Sequence, residues 1–206
     1  KIYQSYDTSL FVSEALNEVI FTLCFAVLLV TFIILFFLKN LKSTLIPLIT
    51  VPISILSTFI FLNFLGHSLN LITLLALVLC TGLVIDDSIV MIENINKKME
   101  LGSKKVEAAI SGSKEVFFAI ISTSIVLISI FTPIIFLEGD TAKLFEELAA
   151  TIIGAVFFST LVSLTLTPML CSKILNIKKN ENKKKTLENF YIKILKLSLQ
   201  KNTLNF

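Results

Sequence analysis

The chain has 206 residues, 55% of them hydrophobic and 16% charged, with a net charge of +3 and a mean hydropathy of +0.88. An average soluble domain carries roughly 25% charge, so this composition excludes one and points to helices embedded in a lipid bilayer. Every basic residue is lysine; without arginine the bidentate side chain that reads phosphates is missing, and no nucleic-acid partner is expected.

Residues 1–7 are polar and lack an initiator Met, and the first apolar run is too long for the core of a cleavable leader, so the chain is expected to begin partway through a larger protein. Residues 1–18 read as an extracytoplasmic helical lead-in. Thr8 or Ser9 can cap a helix that passes Phe11, Ala15 and Val19 into the first span. Five apolar runs have about the 20 residues that a crossing of the ~30 Å hydrocarbon layer needs, near 19–38, 45–65, 71–92, 116–136 and 148–170. Together they make 19–172 a transmembrane bundle. Pro47 and Pro52 in the second span and Pro133 in the fourth each remove a backbone donor, and kinks are expected there. Residues 173–206 begin as a basic cytoplasmic linker. In the segment that follows, Leu187, Phe190, Tyr191, Ile194 and Leu195 recur at helical spacing, as in an amphipathic helix lying on the membrane surface. The expected fold is all-α: a polytopic bundle of five transmembrane helices with a C-terminal amphipathic surface helix.

Lysines alternate between successive loops. Lys39 and Lys42 follow the first span and 66–70 has none; Lys97, Lys98, Lys104, Lys105 and Lys114 follow the third, and 137–147 holds Lys143 among Glu138, Asp140, Glu146 and Glu147. Lys173 and the lysines near 178–185 follow the fifth. The positive-inside bias puts the N-terminus outside and the C-terminus in the cytoplasm, in agreement with an odd number of spans.

Cys24, Cys80 and Cys171 stand singly in apolar surroundings, and His67, the one histidine, falls in a short loop. That spacing suits small core residues and no metal site. No nucleophile, base and orienter combination or phosphate-binding glycine loop marks an enzyme.

The chemistry lies in the third span, TGLVIDDSIVMIEN, where Asp86 and Asp87 interrupt apolar sequence on both sides. An ionised carboxylate in hydrocarbon costs at least ~2.5 kcal/mol, so such acids are usually functional. They must face protein or water, bind a cation, or carry protons. Adjacency makes charging both harder still, so the pair is expected to exchange protons as a coupled unit. Helical rotation places Asp87 with Ala76, Cys80, Leu83 and Val90 or Met91, and Asp86 with Leu79, Gly82, Ile89 and Glu93, covering one broad face. Small Cys80 and Gly82 would admit another helix. No transmembrane lysine is present to pair with the acids. Glu93 and Asn94 are expected to mark the cytoplasmic end of this helix. Ser122, Thr123, Ser124, Ser129 and Thr132 in the fourth span offer hydroxyls whose default use is to satisfy neighbouring backbone.

GLVIDDSIVMIENI, the lysine-rich loop after it, LTLTPMLCSKIL, YDTSLFVSEALNEVI before the first span and LKSTLIPLITVPISILSTFIFL in the second resemble the N-terminal membrane half of a resistance-nodulation-division transporter of the AcrB-like hydrophobe and amphiphile efflux branch. The resemblance runs from that family's second to its sixth transmembrane helix. It implies a drug or amphiphile:proton antiporter of the bacterial inner membrane, with Asp86 and Asp87 as the proton-translocating pair and protons as coupling ion in place of a cofactor. It implies a homotrimer working with a periplasmic adaptor and an outer-membrane channel. A second membrane half, carrying a lysine for the aspartates, and the periplasmic regions would lie elsewhere in the protein. Two other readings stand beside it: a proton-driven accessory of protein or lipid export, and a membrane anchor or sensor whose acids are structural.

Overall fold

The computed structural model describes residues 41–68, 70–139 and 141–175, with scattered positions between 17 and 35. Among the described residues are four long helices, α1 (Leu41–Phe64), α2 (Leu71–Glu100), α3 (Lys105–Phe131) and α4 (Ala142–Ile174), with a 3₁₀ turn at Thr132–Phe136 after α3. Each is long and apolar enough to cross a bilayer, and the described residues contain no strand. The fold is an all-α membrane helix bundle. Described positions of the first expected span are helical. The rest of that span, the lead-in at 1–16, the basic linker and the amphipathic surface helix lie outside the described residues.

Hydrocarbon rewards no helix for being apolar, so the bundle is held by close packing of small residues. α4 runs through the middle and touches α1, α2 and α3, whereas α1 and α3 do not meet. Its inner face is built from Ala149, Ala150, Gly154, Ala155, Ser159 and Ser163, all buried. A methyl group on Gly154 would strike the Phe61 ring of α1 at 2.7 Å. Two apolar clusters result. One gathers Val51, Ile55, Cys80, Val84, Ile85 and Ala155. The other, nearer the lysine-rich loop, gathers Ile46, Met91, Ile92, Ile95, Met99 and Cys171. Cys80 and Cys171 are thus core residues, as their surroundings in sequence suggest, whereas Cys24 is exposed and does not fit that expectation.

The helices run past the hydrocarbon-length segments. α2 continues beyond Ile92 to Glu100 and α3 starts at Lys105, so the connection is only 101–104, with Gly102 at φ 99°, a conformation that glycine tolerates. Hydropathy stops at the first charges, but the buried stripe of Ile95, Met99, Ala108 and Ala109 keeps the polar extensions packed as an antiparallel hairpin. Glu93 and Asn94 are therefore mid-helix and do not end it. Asn94 Nδ2 donates to the Gly112 carbonyl at 2.8 Å and to Glu115 Oε2 at 2.9 Å, and Lys98 Nζ reaches the same oxygen at 3.0 Å. At the opposite end Asn70 caps α2, accepting from the Ile72 and Thr73 amides, while its amide group donates to the Glu147 carboxylate of α4. α1 continues through Pro47 and Pro52. At Pro133 the α-helix has already ended and the backbone tightens into the 3₁₀ turn, since proline cannot donate to Ser129.

Candidate functional site

Asp86 and Asp87 occupy the middle of the thirty-residue α2. At ~1.5 Å per residue, Asp86 lies roughly 22 Å from one end of the helix and roughly 21 Å from the other. The two carboxylates meet different surroundings. Asp86 is exposed and shares a stripe with exposed Leu71, Leu75, Leu79, Gly82, Val90 and Glu93, a face of α2 that α1, α3 and α4 leave uncovered. Asp87 is half-buried, and of the residues expected beside it Ala76, Cys80 and Met91 are buried. The pair therefore straddles the border between the packed and the open side of α2, and does not form one broad face. Gly82 lies on the open side, where an added Cβ meets nothing within 4 Å, while Cys80 packs inward. Among the described residues neither carboxylate has an ion-pair or hydrogen-bond partner.

Directly behind the acids, a row of hydroxyls crosses the bundle. Ser88 Oγ lies 3.4 Å from Thr50 Oγ1 of α1 and 3.1 Å from Ser163 Oγ of α4, and all three residues are 2% exposed or less. Ser159 Oγ of α4 donates to the Val84 carbonyl at 3.0 Å. The helical turn that contains both aspartates is thus gripped by α4 before and after them. Sequence reasoning did not single out these residues, although a signal is present: Thr50, Ser54 and Thr58 recur every fourth residue on α1, as do Ser159, Ser163 and Thr167 on α4. The hydroxyls singled out in the fourth span mostly serve their own helix, with Ser122 donating to the Phe118 carbonyl, Thr123 to Ala119 and Thr132 to Ile128. Ser124 adds a contact to Thr160 of α4 at 2.5 Å.

A model of the AcrB/AcrD/AcrF family matches residues 1–203. The chain belongs to this family. Relatives agree with that membership. A Haemophilus influenzae protein described as an uncharacterized transporter is 42% identical over 170 residues, covering 82% of this chain and 16% of that relative. The multidrug resistance proteins MdtC of Pectobacterium carotovorum and Pectobacterium atrosepticum are each 41% identical over 169 residues, with the same two coverages. The chain thus spans about a sixth of the length of the curated relatives it matches. It is a multi-pass membrane portion of an AcrB/AcrD/AcrF-family transporter, and the acid-bearing α2 lies within the matched region.

Proposed function

We propose that the chain is the N-terminal membrane half of a proton-driven multidrug or amphiphile efflux transporter, and that Asp86 and Asp87 carry the protons exchanged in antiport. The observation that carries this reading is the placement of two consecutive carboxylates at the centre of a membrane helix, without a cationic partner among the described residues. A carboxylate so placed lowers its cost by meeting water, a cation or a proton. The uncovered stripe of α2 fits a second membrane half that brings a counter-charge to Asp86. When the acids take up protons that demand vanishes, and the helices repack. Each inward-moving proton releases about 2.3 kcal/mol per 100 mV of membrane potential, so one or two can reset a two-state packing.

In this reading the protein sits in the bacterial inner membrane with the N-terminus periplasmic and the C-terminus cytoplasmic, which the lysine alternation supports. It works as a homotrimer with a periplasmic adaptor and an outer-membrane channel. The names of the MdtC relatives favour drug export over an accessory of protein or lipid export or a non-transporting anchor. Replacing both acids in the full-length protein (D86N/D87N) is expected to abolish energised export of an amphiphilic dye while membrane insertion stays intact. Undiminished export by the double variant would refute the proposal.

A further inference from the structure

We infer that Ser88 is a positioning residue, which with Thr50 and Ser163 links proton binding at the adjacent Asp87 to the packing of α1 and α4 on α2. The inference rests on the proton-carrying reading of Asp86 and Asp87. Its physical basis is a layer in which buried hydroxyls of three helices meet one another, whereas buried Ser54, Thr58 and Thr81 bond the backbone of their own helices. The three hydroxyls lie between the two apolar clusters, one ending at Ile85 and the other starting at Met91 along α2. A buried hydroxyl left unpaired costs roughly 1–3 kcal/mol, so three of them in one layer hold their helices in the register that lets them meet.

The row is slack. Its 3.4 and 3.1 Å spacings are long for hydroxyl pairs, whose usual separation is about 2.7–2.8 Å, whereas Thr58 and Thr81 on the same helices make 2.8 Å bonds to their own backbones. A small rotation of α2 can tighten or break it, and that rotation also moves Asp87 between the packed and the open side.

Among the described residues no other ionisable group competes for this role nearby. Charged residues of α1 and α4 stand near the helix ends, at Lys42, Lys143, Glu146, Glu147 and Lys173. Those of α3 closest to α2, Lys114 and Glu115, are level with Asn94 and Lys98. On α2 itself Asp86 is the one charged neighbour within the gripped turn, and the thiols of Cys80 and Cys171 are buried in the two apolar clusters. Coupling is reciprocal: if protonation of Asp87 alters helix packing through Ser88, cutting the row alters the proton affinity of the pair.

The test is an infrared titration of carboxyl groups between about pH 5 and 9 in the full-length transporter reconstituted in lipid, with the aspartate band defined as the one lost in D86N/D87N. Ser88→Ala, Ser163→Ala and the isosteric Thr50→Val are each expected to move its midpoint by about half a pH unit or more, roughly threefold in proton affinity. Thr50→Ser, which keeps the hydroxyl, and Thr58→Val, which removes a buried hydroxyl outside the row, are expected to titrate as the parent does. If Ser88→Ala fails to fold, the Thr50→Val and Thr50→Ser pair still decides. A parental midpoint in Thr50→Val overturns the inference and leaves the proton reading intact. Absence of any band sensitive to D86N/D87N overturns both.

Discussion

Asp86 and Asp87 are neighbours in sequence but stand about 100° apart around α2, and that rotation gives them unlike environments. Asp86 faces the uncovered stripe; Asp87 is half-buried beside the hydroxyl row. A half-buried carboxylate with no partner among the described residues opposes folding, as residues kept for function often do. Asp87→Asn removes the charge and nearly preserves the shape. The purified full-length variant is therefore expected to unfold at the parental temperature or above it in detergent, while export is lost. A fall of several degrees in the unfolding temperature would assign Asp87 a structural task. The acids were legible in the sequence because charge amid apolar residues is conspicuous. The hydroxyl row was not, since a serine or threonine in a membrane helix ordinarily bonds its own backbone, as Ser122 and Thr123 do. Only the meeting of three helices distinguishes Thr50, Ser88 and Ser163 from them.

At the scale of elements, the α2–α3 hairpin shows how polar sequence can stay helical outside hydrocarbon. Asn94 satisfies the Gly112 carbonyl and the Glu115 carboxylate together, and Gly112 lets α3 approach so closely that an added Cβ would lie 3.0 Å from the Ile95 Cα. Asn94→Ala is expected to destabilise the hairpin by about 1 kcal/mol through the lost bond to the Gly112 carbonyl. Gly112→Val should cost a similar amount through overpacking, because backbone cannot give way as a side-chain end can. Thermal unfolding of the two purified full-length variants would register both effects; unchanged unfolding in both would show that the hairpin is held by other contacts. The existence of the helices was legible from runs of about twenty apolar residues. Their ends were not, because the signal for continuing α2 past Ile92 is a sparse stripe, Ile95 and Met99, among charges whose burial depends on a partner helix. Pro133 illustrates the reverse case, a local signal that the backbone follows directly by leaving the α-helix.

For the whole molecule, the division of exposed surface is informative. The apolar window of α3 is 11% buried, against 44–56% for the other three helices, so Phe118, Ile125, Val126 and Ile130 form a face suited to lipid. The uncovered stripe of α2 differs in kind, since it carries Asp86 and Gly82 among leucines and is suited to protein. In the full-length transporter, spin labels at Leu79 and Val90 are expected to be poorly accessible to lipid-dissolved oxygen, and labels at Phe118 and Val126 readily accessible. Equal accessibility at all four positions would contradict a second membrane half seated on α2.

The near-naked flank of α3 also makes it the part of this bundle most open to the thickness of its surroundings. A helix clasped on several sides has its tilt dictated by neighbours, whereas one that meets acyl chains over most of its girth must match them, at fractions of a kcal/mol per ångström of mismatch. Since α3 is joined to α2 through the tight Asn94 hairpin, thinning or thickening of the membrane would pull on the very helix that bears the carboxylates. Lipid composition thereby gains a mechanical lever on this protein.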